Sequence, residues 1–370
     1  MANHNNIRTI AVVGGGWSTN VGNAFYNLGT LYLLRQIFPK DRIILICDNE
    51  GYWDFRHHQT PKNSLRFLDH IVPDYLVLHG CFLTTFFPRM WDQTFQRLRK
   101  RGTRLLFISA GLEHYSIEEV AVCREYIQRN PPFLFVSRDS ITYSKLGDTT
   151  EFSYNGIDTA FFAPEAFPPI RLDLPPYIVC TFDKLPEPIL HIEPEKLNRT
   201  SGTEFISESN RKTEFKFAGQ SWAVEFPWAR SKLATPLDKF YPYVEALLLP
   251  RRHYQTAAGP FMILRTDHQC NPWFVRKMYR APNSFAWDLP EPYLALYANS
   301  ALTLSDRVHA CVVTLAYGKP AMLFSRSPRA LIIERLGVDK IKQKPTSISQ
   351  EKLQEEKTEM IRFLKSVPFP

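Results

Sequence analysis

The chain has 370 residues, 44% of them hydrophobic, and a formal net charge of +8. That is enough apolar material for two domains of ordinary size, and it excludes an intrinsically disordered chain. The basic excess favours anionic partners, such as phosphorylated substrates, acidic glycans, membrane surfaces or nucleic acid, without choosing among them.

Six scattered cysteines (Cys47, Cys81, Cys123, Cys180, Cys270 and Cys311) show no metal-ligand spacing. Most fall in apolar patterns, as free thiols do in a reducing compartment. The N-terminus lacks the cationic and apolar regions of a signal peptide. No stretch approaches the roughly 18 apolar residues of a membrane span. The expectation is a soluble cytoplasmic protein with no metal and no cofactor.

In chain order, strands and helices alternate. Ile7–Val13 reads as a buried strand entering Gly14-Gly15-Gly16 and the segment WSTNVGN. Asn23 is the expected N-cap of a helix over Ala24–Phe38. Strands follow at Arg42–Cys47, Tyr75–Leu78, Arg104–Ser109, Phe133–Val136 and Phe152–Tyr154. Helices are expected at Trp91–Arg101, at Ser116–Arg129 behind a capping box from Ser116 to Glu119, and up to Lys145. Continuous apolar strands split by helices indicate a mostly parallel sheet covered on both faces.

The proline-rich stretch 164–176 resists helix and carries the domain boundary. The expected division is an N-terminal domain at 1–165, a linker at 166–176, a second domain at 177–348 and a C-terminal helix and tail at 349–370. Within the second domain, 184–235 reads as a variable insertion with some antiparallel strand. Order returns with a helix near Tyr243–Leu249, a strand at Phe261–Leu264 and a helix at Pro292–Asn299. A strand at Ala301–Leu304 leads to a buried helix over Ala310–Tyr317, and Arg329–Leu336 makes another helix. The tail helix carries Leu353, Met360, Ile361 and Leu364 on one side.

Chemistry-bearing residues collect at strand ends, where open α/β sheets bind ligands. The glycine-rich turn could cradle a phosphate at a helix N-terminus. It is neither a P-loop, lacking a lysine-serine or lysine-threonine pair, nor a good dinucleotide fingerprint, since Thr19 stands where a third glycine belongs. Its other reading is a tight turn and a helix cap. His79 and Gly80 end the third strand and would line a cleft. Ser137-Arg138-Asp139 offers a guanidinium for carboxylate or phosphate; alternatively Asp139 caps a helix and Arg138 pairs on the surface. Asp306-Arg307-Val308-His309 sets a proton-transfer side chain beside a cation; alternatively, a lone histidine next to an apolar helix is structural. The histidines His57 and His58 read as surface.

The pattern SDRVHACVVTLAYGKPAM resembles the C-terminal signature of the polysaccharide pyruvyl transferase family. Asn20-Val21-Gly22-Asn23 resembles the family's Asn-x-Gly-Asp segment, SRDSITYSKLG its Arg-Asp segment, and NGIDTAFF its Asp-x-x-Phe piece. The resemblance implies two Rossmann-like domains facing a cleft, as in GT-B glycosyltransferases, with a C-terminal helix crossing back to the first. It implies transfer of a pyruvyl group from phosphoenolpyruvate to a sugar, giving a ketal. Arg138, Arg307 and His309 would be catalytic, with His309 the general acid. Gly15, Gly16, Asn20, Gly22, Asn23, Gly80, Asp306 and Arg329 would bind substrate. Two departures stand out: Asn23 replaces the family aspartate, and Arg329 lies near a position that can hold lysine. The expected partners are phosphoenolpyruvate and a sugar or lipid-linked oligosaccharide, with peripheral association at the inner membrane face, and no nucleic acid. Two rivals are a nucleotide-sugar-dependent glycosyltransferase on the same fold and a catalytically inactive glycan-binding relative.

Overall fold

A computed structural model describes residues 7–16, 20–47, 67–193, 212–226, 243, 247, 254–269, 274–325 and 327–370. Trp17–Thr19, His57, His58 and Cys270 lie outside the described residues, as does the expected helix near Tyr243–Leu249 apart from two isolated positions.

Six parallel strands form the first sheet: β1 (Thr9–Gly14), β2 (Arg42–Cys47), β3 (Tyr75–Leu83), β4 (Arg104–Leu112), β5 (Leu134–Ser137) and β6 (Phe152–Asn155). Their order, β2-β1-β3-β4-β5-β6, reverses direction beside β1, which opens a crevice at the strands' carboxyl ends. Helices α1 (Val21–Ile37), α2 (Phe87–Lys100), α3 (Ile117–Arg129) and α4 (Ser140–Leu146) connect them. The central strands β1, β3, β4 and β5 are buried on both faces, as their apolar runs require, while the edge strands β2 and β6 are only partly covered.

The second half opens with β7 (Tyr177–Thr181), followed by the insertion. There β8 (Ile189–Glu193), β9 (Lys212–Phe217) and β10 (Gln220–Glu225) make an antiparallel sheet ordered β8-β10-β9. Trp222 anchors it, fully buried against Phe217 and Phe261. The main sheet adds β11 (Ala257–Ala258), β12 (Phe261–Thr266), β13 (Ser284–Phe285), β14 (Leu302–Ser305) and β15 (Ala321–Leu323). It runs β11-β12-β7-β14-β15, with a parallel core and β13 paired to β12. Helices α5 (Glu291–Asn299), α6 (Val308–Ala316) and α7 (Gln350–Ser366) complete it. The two parallel sheets, each with helices, are the expected pair of Rossmann-like units. Among the described residues, no helix is long and apolar enough to cross a membrane.

Three local expectations are corrected. Helix α1 begins at Val21, and its N-cap is Asn20, whose side chain accepts from the Gly22 amide at 3.0 Å. Asn23 instead lies in the first turn, with its amide donating to the Gly16 carbonyl at 3.2 Å. The Ser116–Glu119 box is half formed. Ser116 caps the Glu119 amide, but the Glu119 carboxylate reaches past Ser116 to the backbone amides of His114 and Tyr115. The helix expected over Arg329–Leu336 is a 3-10 turn at Pro328–Ala330 and one helical turn at Leu331–Glu334.

The halves share a core. One apolar cluster joins Phe25, Leu33 and Leu106 to Val179, Leu264, Val312 and Leu364. Helix α1 is the hinge pin of that contact. Its Val21 amide donates to the His268 carbonyl at 2.9 Å, Asn20 pairs with Gln269, and Phe25 packs edge-on to His268 and Tyr297. Gly29 sits so close to the Thr159 carbonyl that a Cβ would meet it at 1.7 Å, so only glycine permits this approach. Helix α7 does cross back to the first sheet: Phe363 stacks on Tyr154, and Phe369 packs on Phe38 and Tyr75. Its buried stripe is Leu353, Lys357, Met360 and Leu364. Ile361 is partly buried against the same core, and Lys357 joins the stripe, its ammonium paired with Glu165 at 2.8 Å.

Candidate active site

The strand ends of the two sheets meet around Asp158 and His309. Arg138 follows β5 and is 1% exposed, so it is not the surface pair that one reading allowed. Its guanidinium fills the space beside Gly111, where a Cβ would fall 2.1 Å from Nε. Nη2 donates to the Leu112 carbonyl at 3.4 Å, and Nη1 lies 3.6 Å from Asp158 Oδ2. Asp139 is the expected helix cap, accepting from the Thr142 amide at 2.7 Å. It also accepts from the Tyr115 hydroxyl at 2.9 Å.

Asp158 comes three residues after β6 and is completely buried. Its Oδ1 accepts from the Ala160 amide at 2.9 Å. Its Oδ2 has no hydrogen-bond partner among the described residues and lies 3.6 Å from both Arg138 Nη1 and His309 Nε2. Burial alone would raise this carboxyl. His309, Arg138 and the Ala160 amide outweigh burial and hold it below the ordinary carboxylate range.

His309 occupies the first turn of α6, on the second half of the chain. Its ring packs against Tyr26 of α1 at 5.4 Å between centroids. Gly22 faces it closely: a Cβ there would stand 3.3 Å from the His309 Cβ. Thus Asn20 and Gly22 meet the C-terminal signature as neighbours, Asn20 by capping the turn that lets Gly22 approach. Gly15 and Gly80 both make room for Tyr26. A Cβ on Gly15 would sit 2.3 Å from the Tyr26 hydroxyl, and Gly80 holds a φ of +81° under the ring. The carbonyls of Gly15 and Gly16 are bound to α1 by the Asn27 and Asn23 amides, so the turn is locked to its helix.

His79 lies beneath, edge-on to Tyr26 at 4.9 Å. Its Nδ1 contacts the Thr30 hydroxyl at 2.6 Å, and Thr30 donates to Thr159. Burial lowers this imidazole to about 3, against the opposing pull of Asp158, so it is neutral near pH 7.

The two signature residues before His309 do different work. Asp306 accepts from the amides of Asp183 (3.2 Å), Lys184 and Leu185 (both 2.7 Å). Both its oxygens accept from backbone amides, so it shapes the turn after β7. Burial raises its carboxyl; Arg307 opposes that, and Asp183 adds to it. The Arg307 amide is tied to the Ser305 hydroxyl at 2.8 Å, and its Nε donates to Asp183 at 2.8 Å. Its Nη2 has no hydrogen-bond partner among the described residues. Asp183 also accepts from the His268 amide at 3.1 Å, and its carboxyl is lowered, because Arg307, Lys277 and His268 outweigh burial.

Arg329 is not at this centre. It is half-exposed and pairs with Glu113, joining the turn after β15 to the loop after β4 at the rim. Lys184, which sequence reasoning did not select, is exposed near it. Lost solvation and the neighbouring Arg307 and Arg329 hold its ammonium below the ordinary lysine value, against Asp306 and Asp183. Asp158 and Asp183 were also missed as site residues. Their signal was position: each follows a strand's carboxyl end, as Arg138 and Arg307 do.

Buried side-chain atoms lacking a partner gather here: Asn27 Oδ1, His79 Nε2, Arg138 Nε, Asp158 Oδ2, Arg307 Nη2 and His309 Nε2. Buried polar atoms are normally paired, so this concentration marks a place that takes polar ligand or water.

A family model described as polysaccharide pyruvyl transferase matches residues 20–328. The chain belongs to the polysaccharide pyruvyl transferase family. The match spans Asn20, Arg138, Asp158, Arg307 and His309, while Gly15 and Gly16 precede it. No curated protein matches the chain. Solved structures of similar shape include MnaA of S. aureus with UDP, at 13% identity, TM-score 0.47, and coverage of 97% of this chain and 90% of that one. The UDP-GlcNAc 2-epimerase of Neisseria meningitidis bound to UDP-GlcNAc is 12% identical, at TM-score 0.45, with 96% and 93% covered. That of Methanocaldococcus jannaschii with UDP-GlcNAc and UDP is 12% identical, at TM-score 0.47, with 95% and 92% covered. Likenesses this distant add nothing to the architecture already read from the strands. Family membership in the transferases rests on the sequence match alone.

Proposed function

We propose that the protein transfers the pyruvyl group of phosphoenolpyruvate to two hydroxyls of one sugar in a polysaccharide or its precursor. One observation carries the reading beyond family membership. At the meeting of the two sheets, His309 and Arg138 flank the buried Asp158 carboxylate and Arg307 is held by the buried Asp183, and each of the three side chains keeps one nitrogen without a hydrogen-bond partner among the described residues.

The chemistry asks for such a set. Phosphoenolpyruvate brings a phosphate and a carboxylate, which suit Arg307 Nη2, Arg138 Nε and the Lys184 ammonium. His309 delivers a proton to the methylene carbon, C3, which becomes a methyl group and leaves C2 electrophilic. Two sugar oxygens bond to C2, and the C2–O bond to the phosphate breaks. One hydroxyl proton restores His309, and the other leaves on inorganic phosphate. The amide groups at the N-terminus of α6 favour the anion. The shared apolar core behind Tyr26 keeps water from the cationic carbon. A donor of central metabolism puts the reaction in the cytoplasm, at the inner membrane face where the acceptor is lipid-linked.

The test is incubation with phosphoenolpyruvate and galactose- or mannosamine-containing acceptors. Acceptor-dependent phosphate release is expected. No release with any acceptor, together with binding of a nucleotide sugar, would replace this reading with the glycosyltransferase one.

A further inference from the structure

We propose that Asp158 is the positioning residue for His309, and that Arg138 helps by holding Asp158 ionised. The inference rests on His309 being the proton donor of the reading above. Asp158 is buried completely, and its charge is balanced from two sides: Arg138 from the same half of the chain, His309 from the other, each 3.6 Å from Oδ2. Oδ1 is fixed by the Ala160 amide, so the carboxylate cannot swing away. That amide belongs to the turn Thr159–Phe162, on which α1 is docked through Gly29. Helix α1 in turn carries Tyr26, which packs on the imidazole's side. The imidazole is therefore set by the first half of the chain, although it belongs to the second.

This arrangement gives the two halves a chemical reason to seat together. If α6 moved away, His309 would lose its only charged neighbour within ion-pair distance among the described residues, and Asp158 would keep only Arg138. The charged groups facing Asp158 are His79, Arg138 and His309, and His79 is held neutral by burial. Of the two partners of Asp158, Arg138 is cationic whatever the state of the imidazole.

Asp158→Asn keeps the shape and removes the charge. It is expected to lower kcat about a hundredfold while leaving KM for phosphoenolpyruvate within about threefold, because it acts through the proton donor and not through anion binding. In a His309→Gln background the same change is expected to cost less than about twofold, since a residue that works through His309 has nothing left to position. Because Asn leaves the Arg138 charge buried without its counter-ion, the pair Asp158→Asn/Arg138→Gln serves as the folding control. Independently of turnover, the 15N signals of the His309 imidazole at fixed pH are expected to move in Asp158→Asn, while those of His268 stay. Unchanged His309 signals, or kcat within about twofold of the parent, would overturn the role of Asp158. A parent protein that releases no phosphate would overturn the functional reading, and the imidazole spectrum would still decide the positioning claim.

Discussion

Two buried aspartates at strand ends, Asp158 after β6 and Asp306 after β14, look alike in sequence and are unlike in the structure. Asp306 stands inside the most informative motif, yet three backbone amides occupy its oxygens and its carboxyl is raised by burial. Asp158 sits in a weaker motif, has one oxygen without a hydrogen bond, and is lowered because its cations outweigh burial. The difference teaches a rule of use. A buried carboxylate satisfied by backbone amides is holding the chain, whereas one left to face a cation and a histidine is available to chemistry.

The sharpest way to break this contrast is to remove the group that Asp158 serves. His309→Gln is expected to lower kcat for phosphate release by about three orders of magnitude, with a lower melting temperature because the buried Asp158 keeps only Arg138 as its partner. A loss under about tenfold would deny His309 the donor's role. Asp306→Ala should behave in the opposite way. It leaves the buried amides of Asp183 and Leu185 and the part-buried amide of Lys184 without their acceptor, and is expected to cost about 3 kcal/mol in urea unfolding. Wild-type stability in that variant would mean the turn after β7 is held by something else.

The two carboxyls also differ in how they couple folding to pH. Asp158, lowered in the folded state, contributes stability above its unfolded value, and that contribution is lost as pH falls through its folded value. Asp306, raised, contributes below its unfolded value, and the contribution is lost as pH rises through its folded value. Asp158→Asn should therefore flatten the acid side of the stability curve, and Asp306→Asn the side just above the ordinary carboxylate range. Identical curves for the two variants, followed by urea unfolding across that range, would erase the distinction. The smallest effect is expected at the rim, where Glu113→Gln removes a half-exposed ion pair. It should change stability by less than about 1 kcal/mol.

Much of the fold was legible because apolar periodicity is written locally. The strand runs, the antiparallel insertion and the returning tail helix all follow from composition and spacing. What escaped depends on groups distant in sequence. Asn20 caps α1 instead of Asn23 because the chain is pinned one turn earlier, where the Val21 amide meets the His268 carbonyl. The glycines of the first turn read as a phosphate cradle, but Gly15 is small so that Tyr26 can reach His309. Arg138 and His309 were read from sequence as site residues. The carboxylate between them was not, since nothing in NGIDTAFF says that Asp158 will meet a histidine from the other end of the chain. Lys357 in the apolar stripe of α7 escaped for the same reason, as its partner Glu165 is remote in sequence.

The central claim is that His309 protonates C3 of phosphoenolpyruvate as the sugar oxygens take C2. The most direct measurement is a turnover in D2O, with the product read by proton NMR. A pyruvate ketal whose methyl group carries one deuterium, formed one-for-one with inorganic phosphate, is the expected result. Phosphoenolpyruvate consumed without a ketal methyl, or a sugar product that keeps the methylene, would contradict it.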